Sequence, residues 1–214
     1  MPMKRSLALA AGILVLICTW AGPFPSMVPA SFTAHMAMHM SVVAVAAPLL
    51  GYGLAGQLAT YRGSSFLLSA PMAASLADLV IIWVWHTPLA HEAARTSSPG
   101  LVLEQASFLM AGVFLWLTVF LRRNGGQDRL VGAGALLFTS MHMTLLGVLI
   151  SLATKPICSV SAGFAPPFGL SVMDDQQVGG LLMLGIGGSV YLVAGLSLVA
   201  GLLGNNSRTK GGEA

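Results

Sequence analysis

Charge is what this sequence has least of. Only 8% of its 214 residues are Asp, Glu, Lys or Arg, while 56% are hydrophobic, and the mean hydropathy is +0.82. Soluble domains carry about 25% charged residues, so a water-facing surface of ordinary extent is excluded. No stretch is long and polar enough for a separate soluble domain, which leaves one integral-membrane domain over residues 1–214. The net charge of +3 is small, so a nucleic-acid partner is not expected and membrane lipid is. Cysteine is nearly absent too: Cys18 and Cys158 make no disulfide framework, and without a CxxC pair thiol redox chemistry has no motif. One pairing at the outer face stays open, but two separate thiols fit better. No serine or cysteine stands beside a histidine as nucleophile beside base, which argues against a hydrolase and for a protein that is not an enzyme.

What is present are apolar runs. A transmembrane helix needs about 20 mostly apolar residues, and from Ser6 to Tyr61 there is no charged side chain, with Pro23, Pro25 and Pro29 breaking the run. The pattern predicts an all-α bundle of about six spans: Leu7–Gly22, Phe32–Leu58, Phe66–His86, Leu101–Leu121, Leu130–Ala153 and Val178–Gly204. Lys4, Arg5, Arg62, Arg122, Arg123, Arg129, Arg208 and Lys210 fall on one side, and only Arg95 and Lys155 on the other. That asymmetry predicts cytoplasmic termini, with residues 205–214 a cytoplasmic tail. Residues 1–30 read either as a signal anchor or as a secretory signal peptide cleaved after Ala30. Glycines such as Gly132, Gly179, Gly180 and Gly187 suit close helix packing.

The histidines gather on the side opposite the cations. His35 and His39 open the second predicted span, His86 closes the third, His91 follows in a loop read as solvated, and His142 lies inside the fifth. A rise of about 1.5 Å per residue puts His39, Asp78 and His142 about 10–17 Å below the outer ends of their spans. Ionisable groups at such depth usually face a partner, so these three are expected to share one layer. Glu104 begins the fourth span, Asp174 and Asp175 are expected to cap the last, and Trp20, Trp83 and Trp85 suit an outer aromatic belt.

The strongest local pattern is His35-Met36-Ala37-Met38-His39-Met40. Residues i and i+4 share a helix face, so His35 and His39 can ligate one ion, and Met36 and Met40 form a second such pair. Met141-His142-Met143 repeats the sulfur–imidazole combination. Thioether selects soft Cu(I), so His plus Met without cysteine pairs or carboxylate clusters points to copper ahead of zinc. Met38, Met72, Met110 and Met183 read as packing.

Taken together these segments resemble the multi-span CtaG-type cytochrome c oxidase assembly factors of bacteria. The resemblance rests on His35-Met36 with His39-Met40 and Ala46-Ala47-Pro48-Leu49-Leu50, then Trp85-His86-Thr87-Pro88. It continues in Glu104 with Phe108-Leu109 and Gly112, and in Asp175-Gln176-Gln177 with Gly180. It implies a role in maturing a haem–copper oxidase at copper insertion, in the bacterial plasma membrane with the metal site facing outward. His35, His39 and His86 would be metal residues with Asp175 and Gln176 beside them; Glu104 and, from its depth in the third span, Asp78 are read as further supporting polar groups. The partners implied are oxidase subunits and a copper donor protein. The chain departs from the family pattern, His-x-x-Glu-His, at Leu101 and Gln105, and His91 stands where tyrosine is usual. Either the site is reduced, or His91 and His142 supply ligands, with Met141 and Met143 further candidates. Two other readings stay open: a haem-binding electron carrier with His39 and His142 as axial ligands, and a small transporter using Asp78 and His142.

Overall fold

The apolar runs among the described residues are helical. The computed structural model describes residues 2–58, 69–121, 125–157, 166 and 169–210. Helix α1 spans Pro2–Trp20, and after Pro23 a single turn, α2, covers Phe24–Met27. Then follow α3 at Phe32–Gln57, α4 at Ala70–Trp85, α5 at Pro88–Thr96, α6 at Ser98–Leu121 and α7 at Gly126–Ser151. The last, α8, runs through Val172–Gly204 and stays helical to Lys210. No strand occurs among the described residues. Five of these helices are long and apolar enough to cross a membrane: α1 (extended through α2), α3, α6, α7 and α8.

The sixth expected span differs. Helix α4 has only 16 residues, and the chain bends by 74° between it and α5. Pro88 forces the residue before it out of helical geometry, and Thr87 is extended at φ −67°, ψ 145°. The chain therefore turns back over the end of the bundle instead of leaving it as a loop. Phe66, the expected start of this span, lies outside the described residues, as do Arg62, Arg122, Arg123 and Cys158; Cys18 is a free, exposed thiol.

Two helices carry a local widening. In α3, Ser41–Ala46 is π-helical, directly before Pro48, whose missing N–H and ring disturb the normal ladder. In α8, Met183–Gly188 is π-helical. Backbone groups left over inside a membrane must find partners within the protein. Tyr191 donates its hydroxyl to the Val43 carbonyl at 3.0 Å, and Ser140 donates to the Gly188 carbonyl at 2.8 Å.

Side chains such as Phe108, Leu115, Trp116, Leu136 and Tyr191 fill the interior, while Leu7, Val80, Val102, Met110 and Val193 are exposed. That inverted outer surface is the one lipid requires. Glycine permits the closest helix contact: a Cβ at Gly147 of α7 would stand 2.8 Å from the Leu184 nitrogen and 3.0 Å from the Gly180 carbonyl oxygen of α8.

Candidate metal centre

Helix α3 starts with a cap, Ser31, whose side chain accepts from the Ala34 N–H. That start places His35 and His39 one turn apart with ring centroids 4.3 Å from each other. Glu104 of α6 lies between them. Nε2 of His35 is 2.7 Å from Oε2 of Glu104, and Nε2 of His39 is 3.4 Å from Oε1. One candidate ligand atom from each of the three falls within 4.8 Å of the others, and all three residues are at most 1% exposed. Gln105 holds the second ring: its Nε2 donates to Nδ1 of His39 at 2.8 Å, while its Oε1 accepts from the Trp20 indole at 3.4 Å.

Two more imidazoles close the cluster. His86 caps the end of α4 and donates Nδ1–H to the Ile82 carbonyl at 2.7 Å. That bond fixes the tautomer and leaves a lone pair on Nε2, the arrangement in which histidines hold metals. His91 was expected in a solvated loop. It lies instead on α5, 1% exposed, stacked on His35 at 4.6 Å and packed on Phe32 at 5.1 Å. The fold-back at Pro88 is the reason. Arg95, one turn on, secures it by donating to the carbonyls of Val28 at 3.3 Å and Pro29 at 3.0 Å.

These groups are short of hydrogen-bond partners. Nδ1 of His35, Nε2 of His86 and both nitrogens of His91 are buried without one, while Nε2 of His39 and Oε1 of Glu104 have only each other, at 3.4 Å. An unsatisfied buried polar atom costs about 1–3 kcal/mol, so four in one cluster are hard to reconcile with a purely structural role. They suit a cation that several lone pairs can share.

The remaining expected residues divide. His142 meets Asp78, with Nε2 3.5 Å from Oδ2, but His39 does not join them; it turns to Gln105 and Glu104, so the predicted three-residue layer is a pair. Met141 is 70% exposed on the outer face of α7 and cannot serve a buried site, whereas Met36, Met40 and Met143 are buried. Leu101 lines an apolar groove with Trp20, Pro25 and Met38. Asp174 caps its own helix in a capping box with Ser171, but Asp175 does not. It reaches α3, accepting from Ser31 Oγ at 2.9 Å, the Phe32 N–H at 2.6 Å and the Thr33 N–H at 3.3 Å. Gln176 bridges the Ile157 N–H at 2.6 Å and the Ile150 carbonyl at 3.2 Å. Sequence reasoning missed the burial of His91 and Arg95. The signal available was their i, i+4 spacing with Ala94 between them, after a helix-starting proline.

Among known proteins, one family model matches, described as cytochrome c oxidase caa3 assembly factor (Caa3_CtaG), over residues 1–204. No curated protein and no solved structure matches.

Proposed function

The chain belongs to the cytochrome c oxidase caa3 assembly factor family, and from that premise we propose that it handles copper, as Cu(I), for the maturing oxidase. The cargo ion is held by His35, His39 and Glu104, with His86 and His91 within reach. The observation that carries this reading is the cluster of buried imidazole nitrogens that lack partners around a buried carboxylate. Imidazoles suit copper, and the surrounding methionines favour its reduced form. No bond is made or broken in substrate; ligand exchange alone passes the ion from a copper donor to haem–copper oxidase subunits. The cation asymmetry of the sequence supports cytoplasmic termini, which puts the site at the outer face of the bacterial plasma membrane.

The test is metal content with a cellular readout. Purified protein is expected to hold copper, and His35→Ala with His39→Ala to lose it. Deleting the gene is expected to lower oxidase activity, with added copper restoring part. Normal oxidase activity at limiting copper, or wild-type protein that takes up no copper, defeats the reading.

A further inference from the structure

Deeper in the bundle, next to the imidazole cluster, is a void of about 10 Å³ bordered by His39, His86, Met40, Met143 and Met183. A space of about 10–15 Å³ holds one water, so this one admits a bare ion and not a hydrated one. The three thioethers come from three helices, α3, α7 and α8, and are 3%, 0% and 0% exposed. Met40 immediately precedes the π-helical stretch of α3, and Met183 opens that of α8. Such widenings are frequent at functional sites. Gly187, in the second stretch, packs against two of these methionines: a Cβ there would stand 3.2 Å from the Met40 sulfur and 3.9 Å from the Met143 methyl carbon.

Methionine is a ready filler of irregular cores, and packing would explain three of them together. It does not explain why the void also lies beside two imidazoles of the cluster, His86 with an unpartnered Nε2 and His39 with Nε2 on the Glu104 carboxylate at 3.4 Å. Water would be poorly held, since thioethers accept hydrogen bonds weakly. Charge narrows the choice further. The void's border carries no charged side chain, and Glu104 is the single carboxylate in the adjoining cluster. A monovalent cation therefore enters the void at less cost than a divalent one, which stays beside the carboxylate in the adjoining position.

We propose that this void is a second, thioether-rich metal position that receives Cu(I) from the imidazole–carboxylate position through the shared His39 and His86. A single ion occupies one position or the other. The proposal rests on the copper reading above and adds to it a sulfur ligand set and a choice of oxidation state.

X-ray absorption on the purified full-length protein, loaded anaerobically with one equivalent of Cu(I), tests it. Sulfur scattering from the copper is expected. In the triple variant Met40→Leu, Met143→Leu, Met183→Leu that scattering should vanish and Cu(I) affinity fall by about tenfold or more. Zn(II), which imidazole and carboxylate satisfy, should bind the variant as it binds wild type. Copper bound by wild type through nitrogen and oxygen alone overturns the second position and leaves the first intact. Sulfur scattering retained by the folded triple variant overturns the assignment to these methionines. Wild type that does not bind Cu(I) removes the copper reading itself. If the triple variant does not fold, the single variants Met40→Leu, Met143→Leu and Met183→Leu should each lower the sulfur scattering, and an unchanged spectrum in all three overturns the assignment.

Discussion

The Gln105 amide accepts from the Trp20 indole and donates to Nδ1 of His39, so the ring proton of neutral His39 sits on Nε2, toward Glu104. An ion taken by Nε2 requires that proton to move to Nδ1, and the amide to turn its oxygen to meet it. Gln105→Leu leaves Nδ1 buried without a partner, costing about 1–3 kcal/mol. A lower thermal midpoint in detergent and weaker metal retention are expected, whereas Gln105→His, the residue of the family pattern, should retain metal at least as well as wild type. Equal midpoints for Gln105→Leu and wild type would show that the amide bond contributes nothing. Asp175 allows a second comparison. Its carboxylate accepts from three donors at the start of α3, and asparagine has one oxygen to offer them. Asp175→Asn should cost about 2–3 kcal/mol, since hydrogen bonds to charged groups are the stronger kind. Asp174→Asn, in an exposed capping box, should cost about 1 kcal/mol or less. Thermal unfolding of the two variants side by side measures the difference.

At the scale of elements, α5 covers the cluster. Its buried face is His91, Ala94 and Arg95, and Arg95 ties it to the turn before α3. Arg95→Ala is expected to loosen α5 and expose His91, read as faster modification of His91 by an imidazole-directed reagent. Unchanged reactivity would mean that packing on Phe32 and His35 alone holds the helix. The π-helical stretches show the same division between local and distant causes. Pro48 gives α3 a local reason to widen, but the carbonyl left over at Val43 is satisfied by Tyr191, almost 150 residues along the chain. No such proline lies in α8, and the sequence carried no sign of its widening.

Across the whole molecule, Arg5 and Arg129 lie at the end opposite the imidazole cluster. Arg5 sits 5.4 Å over the Tyr52 ring, near the far end of α3 from His35. The 17 residues between Tyr52 and His35 span about 25 Å at 1.5 Å each. Arg129 joins that end by donating to the Gly201 carbonyl at 3.1 Å. Reporter fusions should therefore place the C-terminus inside the cell and the segment after α5 outside. The reverse result would put the metal cluster on the cytoplasmic face and end the proposed delivery to an outer copper site.

Helix spans, their approximate number and the shared face of His35 and His39 were legible in the residues alone. Hydropathy and the 3.6-residue period are local properties, and a lipid environment leaves few alternatives to helix. Depth along the spans put Asp78 and His142 in one layer, but which acid meets His35 and His39 was not legible. Glu104 serves His35 and His39, Asp78 serves His142, and Asp175 serves the start of α3, because helix packing and not spacing along the chain brings those side chains together. The same holds for His91 and Arg95: a proline announced a helix start, but only the 74° fold-back decided that their helix would lie over the site. Met183 reads as packing in isolation and becomes a candidate ligand only beside Met40, Met143 and two imidazoles. Sequence fixes what each helix presents; the contacts between helices fix what each presented group can do.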